Sequence, residues 1–451
     1  MTTPRPDDFA ELRDRAVDAL RALVRIRTVS HADPALRDEE PFVAVVAELR
    51  RRFPLLHEQL ELTPIPGHAL LFRWPGRSAA RPVVLMAHLD VVPVDDAAPW
   101  QHPAWEARVV DGHVWGRGTL DDKGPLVCTA AAVERLLARG FVPAQDVWLS
   151  FGTTEEVSGE TAPLAVDELE RRGVRPWFVV DEGGAVASDA FPGVTRPVGV
   201  VGVAEKGTTT IELRVDGRGG HASTPARMDA TARVARAVVR LDRSPMPVSV
   251  PAPTIELFRR LAPHAPRPLR RLMAGAGSLR PVLARVLVAA GPETAAMART
   301  TVAVTTLSGS PAHNVLASTA RAGVNVRVMV GDTVDGVVAH LRRAIHDEKV
   351  RVSVVESGEA SPVSPVDDDA FRLLERTIGE QFPEAVVAPY VMMAATDARF
   401  FTRICPRVYR WSPLRMSGEQ RASLHSFDER VGVDDLADGV LWYERLLVAI
   451  E

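Results

Sequence analysis

Cysteine is nearly missing from this chain. Cys128 and Cys405 are the only two in 451 residues, each in an apolar context, which excludes a disulfide scaffold and a thiolate metal site and leaves two buried thiols. Charge of one sign is equally scarce. With 54 Lys+Arg against 58 Asp+Glu the net charge is −4, so no overall field recruits nucleic acid or an anionic surface. No apolar run reaches the roughly 20 residues of a membrane span. The first stretch, MTTPRPDDFAELRDRAVDALRALVRI, lacks the apolar core of a signal peptide, and Phe9, Leu12, Ala16, Leu20 and Leu23 instead recur at helical spacing. These absences point to a cytoplasmic protein. Repeats and low-complexity segments are missing as well. What remains is an ordinary globular composition, 46% hydrophobic and 25% charged, on a chain too long for one core, so at least two domains are expected.

Helices are predicted over 7–26 and 40–53. The apolar runs ALLFRW (69–74), PVVLMAH (82–88), DVWLSFGT (146–153) and PWFVVDEG (176–183) read as strands. A helical segment, PLVCTAAAVERLLARG, separates the second run from the third and ends at Gly140. This alternation predicts an α/β fold with a mostly parallel sheet covered by helices on both faces, its ligands at the carboxyl ends of the strands. From about residue 200 the texture changes. TTTIELRV (208–215) and STARAGVNVRVMV (318–330) alternate like half-exposed strands around the helix TARVARAVVRLD, which predicts an inserted smaller α+β lid or dimerisation domain at 201–357. Residues 1–200 and 358–451 then form the catalytic domain. Inside the insert, 251–300 reads as helical hairpins belonging to the smaller domain, and the apolar face of LRPVLARVLVAA reads as core or interface rather than as an exposed lip for a greasy ligand.

The strands end in residues that are expensive to bury. His88 and Asp90 follow the second, Glu155 and Glu156 the third, and Asp181 and Glu182 the fourth; Asp121 and Asp122 occupy the Gly-rich WGRGTLDDKG, and His425 lies near Asp428 and Glu429 in SLHSFDER. Singly, each has an ordinary structural explanation. Together, carboxylates on one sheet edge repel one another unless a cation sits among them. Two imidazoles complete an N/O donor set that suits zinc, with two ions sharing one carboxylate. On this reading His88 is a ligand, Asp90 orients it through its other ring nitrogen, and an unligated glutamate serves as general base.

The ordered set MAHLDVVPV, WGRGTLDDKG, EEVSGE, VDEGG, RGGHAS and a late His resembles the di-zinc aminoacylase/carboxypeptidase family over nearly the whole chain. That family includes carboxypeptidase G, succinyl-diaminopimelate desuccinylase and carnosinase. The long insert before TTVAVTTL, with AHNVLAS, TDARFF, VYRWSPLRMS and LHSFDER, is most similar to carboxypeptidase S and the N-fatty-acyl-amino-acid synthase/hydrolase. The resemblance implies two zinc ions, with cobalt or manganese able to stand in. It places His88 and Asp181 on one ion, Glu156 and His425 on the other, and Asp121 between them across a cis Asp121–Asp122 bond. It makes Glu155 the general base and Asp90 the orienter of His88. It assigns His221 to the oxyanion, Asn314 and Arg327 to substrate, and Thr396 to the substrate carboxylate. One departure is Ala394-Ala395, where the family has glycine before Thr-Asp; it bears on specificity rather than on metal binding.

The function implied is hydrolysis of the amide bond of N-acyl amino acids, or release of the C-terminal residue of short peptides, by metal-activated water. A dipeptidase or Gly-Xaa carboxypeptidase is the alternative within enzymes, and a catalytically silent acyl-amino-acid binding protein the alternative outside them. The expected partner is a small-molecule substrate, with a homodimer through the lid domain, no nucleic acid and no membrane span.

Overall fold

The computed structural model describes residues 6–95, 97–191 and 193–451. Its larger sheet has ten strands. At the centre, Gln145–Gly152, Ser78–His88, Phe178–Asp181 and Val408–Arg410 lie side by side and parallel, in that spatial order. Residues 82–88 are buried without interruption, as expected of a strand covered on both faces, and this is why PVVLMAH shows no alternation. Antiparallel strands extend both flanks: Glu61–Ile65 and Ala69–Trp74 on one, Val198–Glu205 and Ala185–Ala187 on the other. The helices Pro6–Val24, Lys123–Ala138 and Val433–Ala449 pack against one another, and their apolar faces share one core with the sheet. A second apolar cluster is closed by Thr161–Arg171 together with the short helix Ala398–Phe401, which lie on the opposite face.

The smaller sheet is antiparallel, ordered Thr301–Ser308, Thr319–Val328, Gly207–Asp216, Arg351–Glu356. Its strand Gly207–Asp216 alternates buried and half-exposed residues along its length. Val-, Leu- and Ala-bearing faces of helices Ala230–Asp242 and Val334–Ile345 cover one side, giving this sheet its own core.

Residues 251–300 form four helices, Ala252–Leu261, Arg267–Ala274, Arg280–Ala290 and Pro292–Ala296. Their location corrects the sequence expectation. Although this segment falls between strands of the smaller sheet, its apolar side packs on the larger one. Ile255, Phe258, Met273, Leu283 and Leu287 join Val194, Val198 and Ala388 in one cluster. The edge strand Val386–Met392 offers an apolar surface that helix Ala252–Leu261 covers. Among the described residues no helix is long and apolar enough to cross a membrane.

Candidate active site

Parallel pairing brings the carboxyl ends of three central strands to one edge, with His88 opposite Gly152 in register. There two groups of three donors form, His88–Asp121–Glu182 and Asp121–Glu156–His425, with ligand atoms within 4.8 Å of one another in each. Asp121 belongs to both. Its Oδ1 lies 3.0 Å from His88 Nε2 and its Oδ2 3.0 Å from His425 Nε2, while Glu156 Oε2 is also 3.0 Å from His425 Nε2. The peptide bond between Asp121 and Asp122 is cis.

Glu182, rather than the expected Asp181, completes the first group, its Oε1 lying 3.6 Å from His88 Nε2. Asp181 is the last residue of its strand and is turned the other way, where its carboxylate accepts the Ala398 backbone N–H at 2.8 Å. Adjacent residues of a strand point to opposite faces, so only one of this pair can face the cluster. The role of Asp90 is also divided differently. Its backbone carbonyl, 3.0 Å away, is the closer partner of His88 Nδ1, and its carboxylate lies at 3.4 Å. That carboxylate instead accepts the backbone N–H groups of Glu155 and Glu156 at 3.2 and 3.1 Å, holding the turn that presents both glutamates.

The donor chemistry fits two divalent cations. Burial, then the neighbouring Asp121, pushes the Glu182 carboxyl up to about 8, and burial raises Glu155 far above the usual carboxylate range. Hydrogen bonds to Asp121 and Glu156 push His425 up to about 10. So many acidic oxygens converging on two imidazoles call for cations among them, and an N/O set of this composition suits zinc or its borderline relatives.

Glu429 is the residue that sequence reasoning undervalued. Fully buried, it accepts the backbone N–H groups of Gly118, Leu120 and Asp121 at 3.0, 2.8 and 3.3 Å. Its other partner is Arg117 Nη1 at 2.6 Å. It therefore fixes the loop that carries Asp121. The sequence showed only an acidic residue beside His425; its three amide partners lie more than three hundred positions away.

The four substrate-facing expectations fare differently. Thr396 is wholly buried, with its N–H donated to Glu205 Oε2 at 2.6 Å, and Arg410 Nη2 holds the other Glu205 oxygen at 3.0 Å. Its neighbours Ala394 and Ala395 line the cleft instead. His221 is exposed, its Nδ1 2.7 Å from Ser223 Oγ. Asn314 stands beside it, accepting the Ala222 N–H through its backbone carbonyl at 3.0 Å. Arg327 donates to Thr208 Oγ1 at 2.7 Å on the smaller sheet. None of these lines the cavity at the metal-donor cluster.

That cavity, about 560 Å³, begins at Asp121, Glu155, Glu182 and His425. It continues between Phe191, Met297, Met392 and Met416, so one wall comes from the last inserted helix and the residue that follows it.

Residues 84–449 match the peptidase family M20/M25/M40. The chain belongs to this family. A probable carboxypeptidase S-like protein of Dictyostelium discoideum is 32% identical over 98% of the chain and 86% of its own length. An N-fatty-acyl-amino acid synthase/hydrolase of Xenopus tropicalis is 34% identical over 96% and 86%. Among solved structures, human carnosine dipeptidase 1 shares the fold, with TM-score 0.68, 17% identity and coverage of 98% and 97%. An M20 metallo-carboxypeptidase of Sulfolobus solfataricus does so with TM-score 0.69, 16% identity and coverage of 96% and 98%. The M20 chain is accordingly a metallohydrolase that acts on amide bonds.

Proposed function

We propose that this M20 enzyme is a zinc-dependent hydrolase of N-acyl amino acids whose acyl groups are long and apolar. The carrying observation is the cavity that leads from the donor cluster between Phe191 and the methionines. Unbranched, polarizable methionine side chains adapt to a flexible apolar chain. The names of the N-fatty-acyl-amino acid relatives agree with this reading.

His88, Asp121 and Glu182 would hold one zinc ion, and Asp121, Glu156 and His425 the second. Bound there, two such ions lower the pKa of water and polarise a carbonyl. Glu155 belongs to neither donor group and lines the cavity, free to take a proton from water and return it to the departing amine. The Asp90 carboxylate keeps Glu155 in place by accepting the Glu155 backbone N–H. His221, on the smaller sheet's two-stranded extension, supplies the oxyanion donor after closure of that sheet over the cleft or from the lid of a second subunit.

The test is a panel of N-acetyl, N-dodecanoyl and dipeptide substrates given to zinc-loaded enzyme, with free amine measured and a chelated control. Chelator-sensitive hydrolysis fastest on the dodecanoyl compound is expected. Preference for dipeptides refutes the acyl assignment. In Glu155→Gln, metal content should stay at wild type while kcat falls by on the order of 10³.

A further inference from the structure

The overall charge balance hides a sharp local excess. The 36 residues 257–292 contain seven arginines and not one aspartate or glutamate, in a chain whose net charge is −4. Some exposed arginines elsewhere, such as Arg51, Arg171 and Arg403, are paired with acids, while others such as Arg218 and Arg243 are not; what sets this segment apart is the density of arginine with no acid inside it. Here Arg260 pairs with Glu256 and Glu375, but among the described residues Arg259, Arg267, Arg270, Arg271, Arg280 and Arg285 make no ion pair, although all six are exposed.

The same segment exposes apolar side chains. Helix Arg280–Ala290 buries Leu283 and Leu287 against the larger sheet's cluster, which satisfies one side of it. Beside that stripe Val282 is 46% and Val286 41% exposed, with Leu279 just before the helix at 40%, and Val288, 37% exposed, lies on the opposite flank. A helix that needed only a core contact would carry polar residues there. Instead, valines and alanines stand between unneutralised guanidiniums.

We propose that this helical lobe docks the enzyme on an anionic lipid surface, with Val282, Val286 and Leu279 entering the headgroup layer and the unpaired arginines meeting lipid phosphates. Basic residues around a modest apolar face are the pattern of helices that lie in a membrane interface. A second copy of the chain is a poor occupant, because a two-fold contact through this face sets arginine against arginine. Nucleic acid is a poor one too, since the centre of the patch is aliphatic and offers nothing to phosphates or base edges.

The position of the lobe gives the docking a use. Thr294 Oγ1 donates to the Leu287 carbonyl at 2.6 Å, tying the exposed helix to the segment whose Thr294 and Met297 line the active-site cavity. An acyl chain dissolved in a lipid layer thus meets the protein next to the wall of its own pocket. This delivery role rests on the acyl-amino-acid reading; the docking itself does not.

Sedimentation of the full-length protein with vesicles tests it without turnover. Vesicles of equal parts phosphatidylglycerol and phosphatidylcholine are compared with pure phosphatidylcholine, at low and high salt. Binding to the anionic vesicles alone, weakened by salt, is expected. Both the quadruple variant Arg267→Glu/Arg271→Glu/Arg280→Glu/Arg285→Glu and the double variant Val282→Glu/Val286→Glu should lose it by more than about tenfold, with unchanged near-ultraviolet circular dichroism as proof of folding. Absence of vesicle binding overturns the proposal, as does binding that survives both variants. Loss in the arginine variant with full retention in the valine variant also overturns it, since that marks a polyanion contact without insertion. If docking holds while no acyl substrate is cleaved, the failure lies in the proposed chemistry and not in the surface.

Discussion

Replacing Glu429 by alanine should cost both stability and metal affinity, although the residue belongs to neither donor group. Its carboxylate is fully buried and has four partners: Arg117 Nη1 at 2.6 Å and the amides of Gly118, Leu120 and Asp121 at 2.8 to 3.3 Å. Alanine leaves the buried Arg117 guanidinium with the Ser426 carbonyl in place of a counter-charge, and a broken buried pair costs about 3–5 kcal/mol. Each orphaned amide adds about 1–3 kcal/mol wherever water cannot reach it. Relaxation of the loop recovers part of this, so a net loss of about 5 kcal/mol is expected, seen as a fall in thermal midpoint of about 5 °C for a chain of this length. Because the same amides hold the loop carrying Asp121, zinc affinity should fall about 10–100-fold, as it does when residues that orient ligands are removed. Competition with a chromophoric chelator measures the affinity, and scanning calorimetry of the metal-free protein measures the stability. Glu429→Gln separates the two effects: it retains an acceptor for the amides but lacks the charge for Arg117. Wild-type zinc affinity in Glu429→Ala would refute the positioning argument even if the protein were destabilised.

Glu182→Ala should lower bound zinc from two ions to one per chain, whereas Asp181→Asn should keep both; elemental analysis after dialysis distinguishes them, and the reverse result restores Asp181 as the ligand. His221→Ala should keep full metal content and a wild-type thermal midpoint while kcat drops by on the order of 10²–10³, as for loss of an oxyanion donor; unchanged turnover removes His221 from the reaction. Burial, followed by Arg327 and Arg299, pulls the Lys206 amine down to about 8, below its unfolded value. Between pH 8 and about 10 the unfolded chain therefore binds a proton that the folded one has released, so this residue's penalty on stability shrinks as pH rises. From about pH 7.5 to 9.5 the urea midpoint should rise more, or fall less, in wild type than in Lys206→Met, and equal pH dependence in the two proteins contradicts the assignment.

The local chemistry was legible along the chain because it depends on short-range patterns. Continuous apolar runs marked the central strands as buried on both faces, and strands alternating with helices implied parallel pairing. Once the sheet is parallel, strand ends share an edge, so His88, Glu155–Glu156 and the Asp181–Glu182 pair had to meet. Which member of the last pair turns inward was not legible. That depends on where the strand stops and on the Ala398 amide that captures Asp181, a partner more than two hundred residues away. Glu429 and Thr396 were obscure for the same reason: each is defined by long-range partners, the loop amides for one and Glu205 with Arg410 for the other. The helical insert shows the limit most clearly. Composition and period determined that it is helical, basic and apolar on one side, because propensity and charge are local properties. Only the tertiary structure decided that it covers the edge of the larger sheet rather than joining the smaller one, since burial goes to whichever apolar surface the rest of the fold leaves open.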